Sequence, residues 1–505
     1  MKILNPAIRS YIKLRWSYID QFFHNPTNTQ IQTFNDLISS GQFTEFGKKH
    51  GFARINNYKE YKKNVPIHTY EDLYPYIKKM MDGEKNVLWP STIEWFAKSS
   101  GTTSDKSKFI PVSNESIEEN HFRGIRDVLA LYFKNFPQSE FMSGKALLMG
   151  GSHKVHEVND DVSYGDLSAV LLQNMLSWQN MIRTPGLDIA LLEDWEEKLE
   201  KMAEVTIQED VRYLAGVPTW TLVLLNKIKE NTGETDLHKI WPNLELYIHG
   251  GVNFAPYREQ FASFFPNKKV NTVDTYNASE GFISGQDIIG HGDNSMLLLL
   301  KHGIFYEFMP MEEVGKTNPH TLQLEEVELD TNYALVITTN SGMWRYMLGD
   351  TIAFTSLHPF RIKVTGRTKH FINAFGEEVM IENTDHAITM ACQKTNAQLH
   401  DYTAAPIYFG NEQKGGHEWL IEANLAEEKQ QEFVEILDRE IQNVNSDYEA
   451  KRHKDLALQM PKVTFVKAGT FQSWLKSKNK LGGQHKIPRL SNDRIIIEQL
   501  LEFVR

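Results

Sequence analysis

One cysteine, Cys392, stands in the whole chain of 505 residues. That excludes an intrachain disulfide and any zinc site built on a cysteine cluster, and it fits a reducing compartment. Positive charge is short too: 54 Lys and Arg stand against 65 Asp and Glu, for a formal net charge of −11. A nucleic acid or an anionic membrane wants a basic patch, so neither is expected as a partner. Long apolar runs are missing. Runs beyond the start, such as 296–300, are far too short to cross a bilayer, and the first residues are broken by Pro6, Arg9, Lys13 and Arg15. No signal-peptide core is left, and the expected location is cytoplasmic. Gly-x-Ser-x-Gly is absent, so His249-Gly250-Gly251 does not read as the oxyanion hole of an α/β-hydrolase. No internal repeat or low-complexity segment occurs.

What is present is an ordinary globular balance, 41% hydrophobic and 24% charged, in a chain too long for one core. Residues 1–90 read as helices, with apolar positions three or four apart at Ile8, Tyr11, Ile12, Ile19, Phe22 and Phe23. Thr69 with Asp72 three residues on marks a helix start ahead of Leu73, Tyr76 and Ile77. From 93 to 290, strand-like runs at 146–149, 244–249 and 270–275 alternate with helical stretches at 194–205 and 219–231. That alternation predicts an α/β region with a mainly parallel sheet. From 296 to 365 the runs at 303–309, 322–328, 333–339, 350–355 and 361–365 suggest an antiparallel, barrel-like section. Gly366-Arg367-Thr368-Lys369 reads as a boundary. Beyond it, helices at 377–392 and 427–445, strands at 405–409, 419–423 and 463–466, and a charged tail at 476–489 predict a small α+β domain.

Four patches carry chemistry. Residues 96–113 run from an apolar strand into Ser99-Ser100-Gly101-Thr102-Thr103 and out through Lys108 into another. Hydroxyls, free backbone N–H groups and cations are what a polyphosphate requires, and they are also what a solvated turn contains. It is not a Walker loop, having no Gly-Lys-Ser/Thr. Tyr276-Asn277-Ala278-Ser279-Glu280 follows a strand; its tyrosine can lie against a purine and its carboxylate can hold Mg²⁺, or the two can serve packing and a loop. In Trp344-Arg345-Tyr346-Met347-Leu348-Gly349-Asp350, an acid after glycine can accept both ribose hydroxyls, or simply end a turn. Gly482-Gly483-Gln484-His485-Lys486-Ile487-Pro488-Arg489 offers a lysine on a glycine-rich loop, or a frayed basic tail. His153 and His156 near Glu157 have no third convergent ligand and read as surface residues.

Taken in order, these patches resemble the adenylate-forming superfamily, with its Ser/Thr/Gly phosphate loop, Tyr-Gly-x-Thr-Glu core, Gly-Asp ribose contact, Gly-Arg hinge and C-terminal Lys-Ile-x-Arg. More closely, the chain is similar to the Gretchen Hagen three (auxin-responsive promoter) family of acyl-acid–amido synthetases. The wording at 96–113, 65–77, 216–220 and 338–350 carries that similarity over nearly the whole chain. Two departures stand out. Asp105 replaces a common glycine and sets an acid beside the expected polyphosphate. The family's Tyr-Arg-x-Gly-Asp reads Tyr346-Met347-Leu348-Gly349-Asp350, with the arginine one place earlier, at Arg345.

The resemblance implies an α/β fold with a large N-terminal adenylate-forming domain, residues 1–366, built of α/β sheets plus the barrel-like section. A smaller mobile α+β domain, 367–505, follows. It implies ATP and Mg²⁺, a small carboxylic acid, and an amine, expected to be an amino acid. Ser99, Ser100, Gly101, Thr102 and Thr103 would cradle phosphates with Lys108 close behind. Tyr276 would stack on adenine, Ser279 touch phosphate, Glu280 hold Mg²⁺ and Asp350 bind ribose. Arg367 would sit at the hinge, and Lys486 would stabilise the α-phosphate during attack by the carboxylate. The alternatives are an acyl-CoA ligase, which shares the first half-reaction, and a nucleotide-binding relative without chemistry. The acid, the amine and the oligomeric state are not readable.

Overall fold

The computed structural model describes residues 5–99, 108–149, 155–192, 194–251, 254–290, 294–368, 371–372, 379–407, 415–445, 448–449, 452, 458–478, 487–491 and 494–504. Two compact units emerge. The larger comprises 1–252 and 264–363; the smaller comprises 364–505 together with 253–263. Each has its own apolar core.

The helical start forms as the spacing predicts, with helices Asn5–Ile19, Gln21–His24, Pro26–Gly41 and Tyr70–Met81. The last opens on a complete capping box: Thr69 Oγ1 accepts from the Asp72 N–H while the Asp72 carboxylate accepts from the Thr69 N–H. Leu73 and Ile77 from that helix are fully buried.

An eleven-stranded sheet organises the larger unit. One half is parallel, as alternation with helices requires: Asn271–Ala278, Leu246–Gly250, Val211–Gly216, Lys145–Met149 and Arg183–Thr184 lie side by side in that order. At Asn271–Ala278 the chain reverses into Gly281–Gly285, and antiparallel pairing carries the sheet on through Met296–Leu298 to Phe360–Arg367. Tyr346–Leu357, Asn332–Thr339 and Ile304–Pro310 complete it.

The strands expected of a barrel-like section therefore extend this same sheet, and no closed barrel forms among the described residues. The sheet ends in two separate edges, Ile304–Pro310 and Arg183–Thr184, that do not pair with each other. One expected strand, 322–328, is instead a 3₁₀ turn, Leu324–Glu326, touching the sheet through one bridge between Phe308 and Leu322. The Glu326 carboxylate takes the Gln323 N–H, a donor that a strand would have offered to a neighbour.

A second sheet of four strands sets Lys108–Val112, Trp95–Ser99, Val162–Gly165 and His156–Asn159 in that order. The smaller unit holds a three-stranded sheet, Gln398–Ile407, Gly416–Asn424 and Lys462–Val466, with helices Ile381–Thr395, Gln430–Val444, Thr470–Ser477 and Ile495–Val504. Cys392 lies buried in the first of these helices, where burial pushes its thiol up to about 12.

The basic end of the expected tail is pinned. Arg489 pairs with Asp385 at 2.5 Å and donates to the Tyr257 hydroxyl at 3.0 Å, while Ile487 and Leu490 are buried. Buried apolar side chains on either side of a paired arginine cannot fray as a solvated tail would. No helix among the described residues is long and apolar enough to cross a membrane.

Candidate nucleotide site

In parallel α/β sheets, ligands gather beyond the carboxyl ends of the strands. Here Leu246–Gly250 and Asn271–Ala278 end side by side, His249 opposite Asp274 and Gly250 opposite Thr275. The Thr275 hydroxyl donates to the His249 carbonyl at 2.8 Å, and His249 Nδ1 lies 3.4 Å from the Asp274 carboxylate. His249-Gly250-Gly251 thus closes a strand end.

The chain then turns back. Ala278 pairs with Gly281, so Ser279 and Glu280 are the two-residue tip of a hairpin. A Cβ at Gly281 would come within 2.6 Å of the Ile304 side-chain end and 3.2 Å of the Asn120 amide, so the glycine leaves room for both. Ser279 is buried and Glu280 half-buried. Lower on the hairpin, the Tyr276 hydroxyl donates to Asp350 Oδ2 at 2.5 Å, with both residues under a tenth exposed. Two patches 74 residues apart in sequence meet at this one hydrogen bond.

Tyr346 completes the cluster. Its ring is fully buried, and its hydroxyl accepts from Lys108 Nζ at 3.4 Å. Burial first, then the charges of Glu280, Glu71 and Asp350, hold its phenol well above the ordinary value. Lys108 thus bonds Tyr346, and the Glu280 and Asp350 carboxylates lie near enough to act on its phenol. The sequence pointed to Tyr346 only as part of a motif; its position at the first residue of Tyr346–Leu357, four residues before the Gly-Asp acid, was the available signal.

Lys108 is set from behind. Ser99 pairs with Lys108 in the antiparallel register of their two strands. The Tyr70 hydroxyl accepts the Phe109 N–H at 2.8 Å, and the Lys108 ammonium lies 5.5 Å from the Tyr70 ring. The backbone of Ser99 ends its strand; Ser100, Gly101, Thr102, Thr103 and Asp105 lie outside the described residues, as do Lys486 and His153. Arg367 ends Phe360–Arg367, exposed and in the smaller unit. His156 is exposed and stacks on Tyr164, with ring centroids 5.0 Å apart.

A feature the sequence did not announce holds the hairpin. Residues Ile117–His121 form a π turn leading into the helix Phe122–Asn135. Asn120 accepts from the Phe282 N–H at 2.6 Å and donates to the His302 carbonyl at 2.7 Å. His121 Nδ1 bonds Asn277 Oδ1 at 3.0 Å, and complete burial lowers its imidazole to about 4. Consecutive residues thus grip both strands of the hairpin, and π turns gather at functional sites.

For Mg²⁺ the residues fit a cation held mostly by phosphate. No group of three His, Cys, Asp or Glu converges among the described residues, and Glu280 stands at the hairpin tip. One or two protein carboxylates are the usual share for Mg²⁺ at a nucleotide.

Comparison with known proteins places the chain. The GH3 family N-terminal domain matches residues 15–270, its central domain 297–367 and its C-terminal domain 382–495. An indole-3-acetic acid-amido synthetase, GH3.3 of Arabidopsis thaliana, is 20% identical over 98% of this chain and 94% of its own. A 4-substituted benzoates-glutamate ligase, GH3.12 of the same plant, is 22% identical over 92% and 93%. A jasmonoyl–L-amino acid synthetase, JAR4 of Nicotiana attenuata, is 22% identical over 91% and 90%. Among solved structures, a GH3.15 acyl acid amido synthetase in complex with 2,4-DB superposes with a TM-score of 0.80 at 18% identity, covering 98% of this chain and 96% of that one. A 2-hydroxyisobutyryl-CoA ligase in the postadenylation state gives 0.60 at 10% identity, over 94% and 91%. The chain belongs to the GH3 family.

Proposed function

We propose that this protein is an ATP-dependent acyl-acid–amido synthetase, joining a small carboxylic acid to an amine through an acyl-adenylate. The observation that carries the reading is the hydrogen bond from Tyr276 to Asp350 beside Lys108, Tyr346 and Glu280. It supports the reading by joining the adenine candidate to the ribose candidate. The relatives' names supply the reaction class: each joins an acid to an amino acid or is called an acid-amido synthetase.

A free carboxylate is a poor acyl donor because its leaving group would be oxide. Attack of the carboxylate oxygen on the α-phosphorus of ATP expels pyrophosphate and leaves AMP as the leaving group; the amine nitrogen then forms the amide and AMP departs. Little covalent work falls to the protein, so its residues orient and neutralise charge. Tyr276 and Asp350 hold the nucleoside, Lys108 and the 99–103 segment meet the phosphates, and Glu280 would hold Mg²⁺, which would supply charge neutralisation there. Arg367 stands beside the nucleotide at the hinge of two domains divided near residue 366. Lys486 stabilises the α-phosphate during the first step and withdraws before the second.

The test is pyrophosphate release from ATP and Mg²⁺ over a panel of carboxylic acids, with and without pooled amino acids, products being read by mass spectrometry. Acid-dependent release with an amide product supports the reading. Release ending in a thioester only when coenzyme A is supplied moves the protein to the ligases. ATP binding without release from any acid favours a nucleotide-binding relative that lacks the chemistry.

A further inference from the structure

One residue before Tyr346 lies a buried charge pair that the reaction scheme does not use. Arg345 is 4% exposed and Glu307 fully buried. The guanidinium meets the carboxylate as a fork, Nε at 3.0 and 3.1 Å and Nη2 at 2.8 Å. Its remaining donors reach Thr321 Oγ1 at 3.0 Å and the Val65 carbonyl at 2.7 Å. The Tyr58 and Thr321 hydroxyls donate to the same carboxylate, at Oε1, at 2.9 and 2.8 Å.

The backbone there is strained. Arg345 has φ +43°, the left-handed region that residues with a side chain seldom adopt. Such a conformation persists only where its surroundings over-determine it, and these conformations cluster at functional sites. Here they do: the Arg345 N–H donates to Thr338 Oγ1 at 3.1 Å, and its carbonyl accepts from the His68 N–H at 2.9 Å. The His68 carbonyl then takes the Met347 N–H at 2.9 Å, so residues on both sides of Tyr346 are clamped by one partner. Asp350 follows three residues after Met347 on the same strand.

A buried ion pair is a poor way to gain stability, since well-packed apolar residues of similar volume often do as well. What a planar fork offers instead is direction: it fixes where its own backbone lies. We infer that Arg345, held by Glu307, is a positioning residue for the nucleotide, setting where Tyr346 and Asp350 stand and hence how tightly ATP binds. This rests on the nucleotide reading of the cluster.

The experiment measures binding of ATP with Mg²⁺, without acid, by calorimetry on the full chain. The same proteins are melted, and KM for ATP is separated from kcat in acid-dependent pyrophosphate release, at a temperature where each is folded. Arg345→Lys keeps the charge and loses the fork; Glu307→Gln keeps the shape and loses the charge. Both are expected to weaken ATP by about tenfold or more, because small misplacements of binding groups cost that much. KM should rise more than kcat falls. Asp127→Asn, whose fully buried carboxylate pairs with Arg15 and His302, serves as the structural control and should lower the melting temperature at unchanged ATP affinity. Thr338→Val, which removes the hydroxyl that accepts the Arg345 N–H and also bonds the Tyr61 hydroxyl at 2.8 Å, is read in the same way should both charge variants fail to fold. Lower melting temperatures with wild-type ATP affinity and KM would reduce the pair to a structural one, leaving the reaction assignment intact. Wild-type protein that binds no ATP would overturn the nucleotide reading, and the inference with it.

Discussion

At the scale of single residues, the contact between Tyr276 and Asp350 has the most direct consequence. A hydrogen bond to a charged group contributes about 1.5–3 kcal/mol. Tyr276→Phe removes only the donor, so KM for ATP is expected to rise about tenfold with a smaller change in kcat, checked by initial rates of pyrophosphate release. Lys486→Ala should slow the adenylation half-reaction by about 10²-fold, the scale for one preorganised charge donor. Single-turnover formation of acyl-AMP reads this, and an unchanged rate would remove Lys486 from the first step. Glu280 and Asp350 stand out in the sequence as candidates because each sits beside turn residues. The pairing of Arg345 was not legible there, because its partners Glu307, Thr321 and Val65 come from distant parts of the chain.

At the scale of elements, local chemistry decided what was readable. Thr69 and Asp72 announce a helix start through side chains that satisfy backbone donors three residues away, and the capping box is there. The run at 322–328 reads as a strand by its residues, yet Glu326 caps Gln323 and folds it into a turn. The π turn at Ile117–His121 is a one-residue irregularity within a helical pattern, and periodicity does not reveal it. Its hold on the hairpin makes two expectations. Asn120→Ala leaves the Phe282 N–H and His302 carbonyl without their partner, and should destabilise the larger unit by about 1–3 kcal/mol in urea unfolding.

The second expectation concerns pH. Burial lowers His121 and His68 to about 4 in the folded chain, against an ordinary 6.5. Between those values the unfolded chain binds more protons, so stability is complete above pH 6.5 and is lost progressively as pH falls towards 4. For fully buried His121 the loss is on the order of 3 kcal/mol. Urea midpoints at pH 7.5 and pH 5, with His121→Asn showing a flatter profile, would check it.

At the scale of the whole molecule, two units with separate cores answer a length too great for one. The segment 253–263 joins the smaller unit although it lies between two strands of the larger sheet, and its Tyr257 meets Arg489. Nothing in the local sequence of 253–263 announces that, because the partner is more than two hundred residues away. Separate cores predict calorimetric unfolding that departs from two-state behaviour. ATP at about a hundred times its dissociation constant should stabilise the larger unit by about 2.7 kcal/mol. Scanning calorimetry with and without ATP tests both, and a single transition matching its van't Hoff enthalpy would contradict the first.

Cys392 lends the molecule a practical property. A thiol walled off from solvent and raised to about 12 carries almost no thiolate at neutral pH, so maleimides should leave the native chain unlabelled until it is denatured. Any cysteine introduced on an exposed face would then be the sole reactive sulfur, and two of them, one on each unit, would take a fluorophore pair with no native residue removed. The protein is in effect blank to thiol reagents, ready to report distances between labels placed on its units while substrates are turned over.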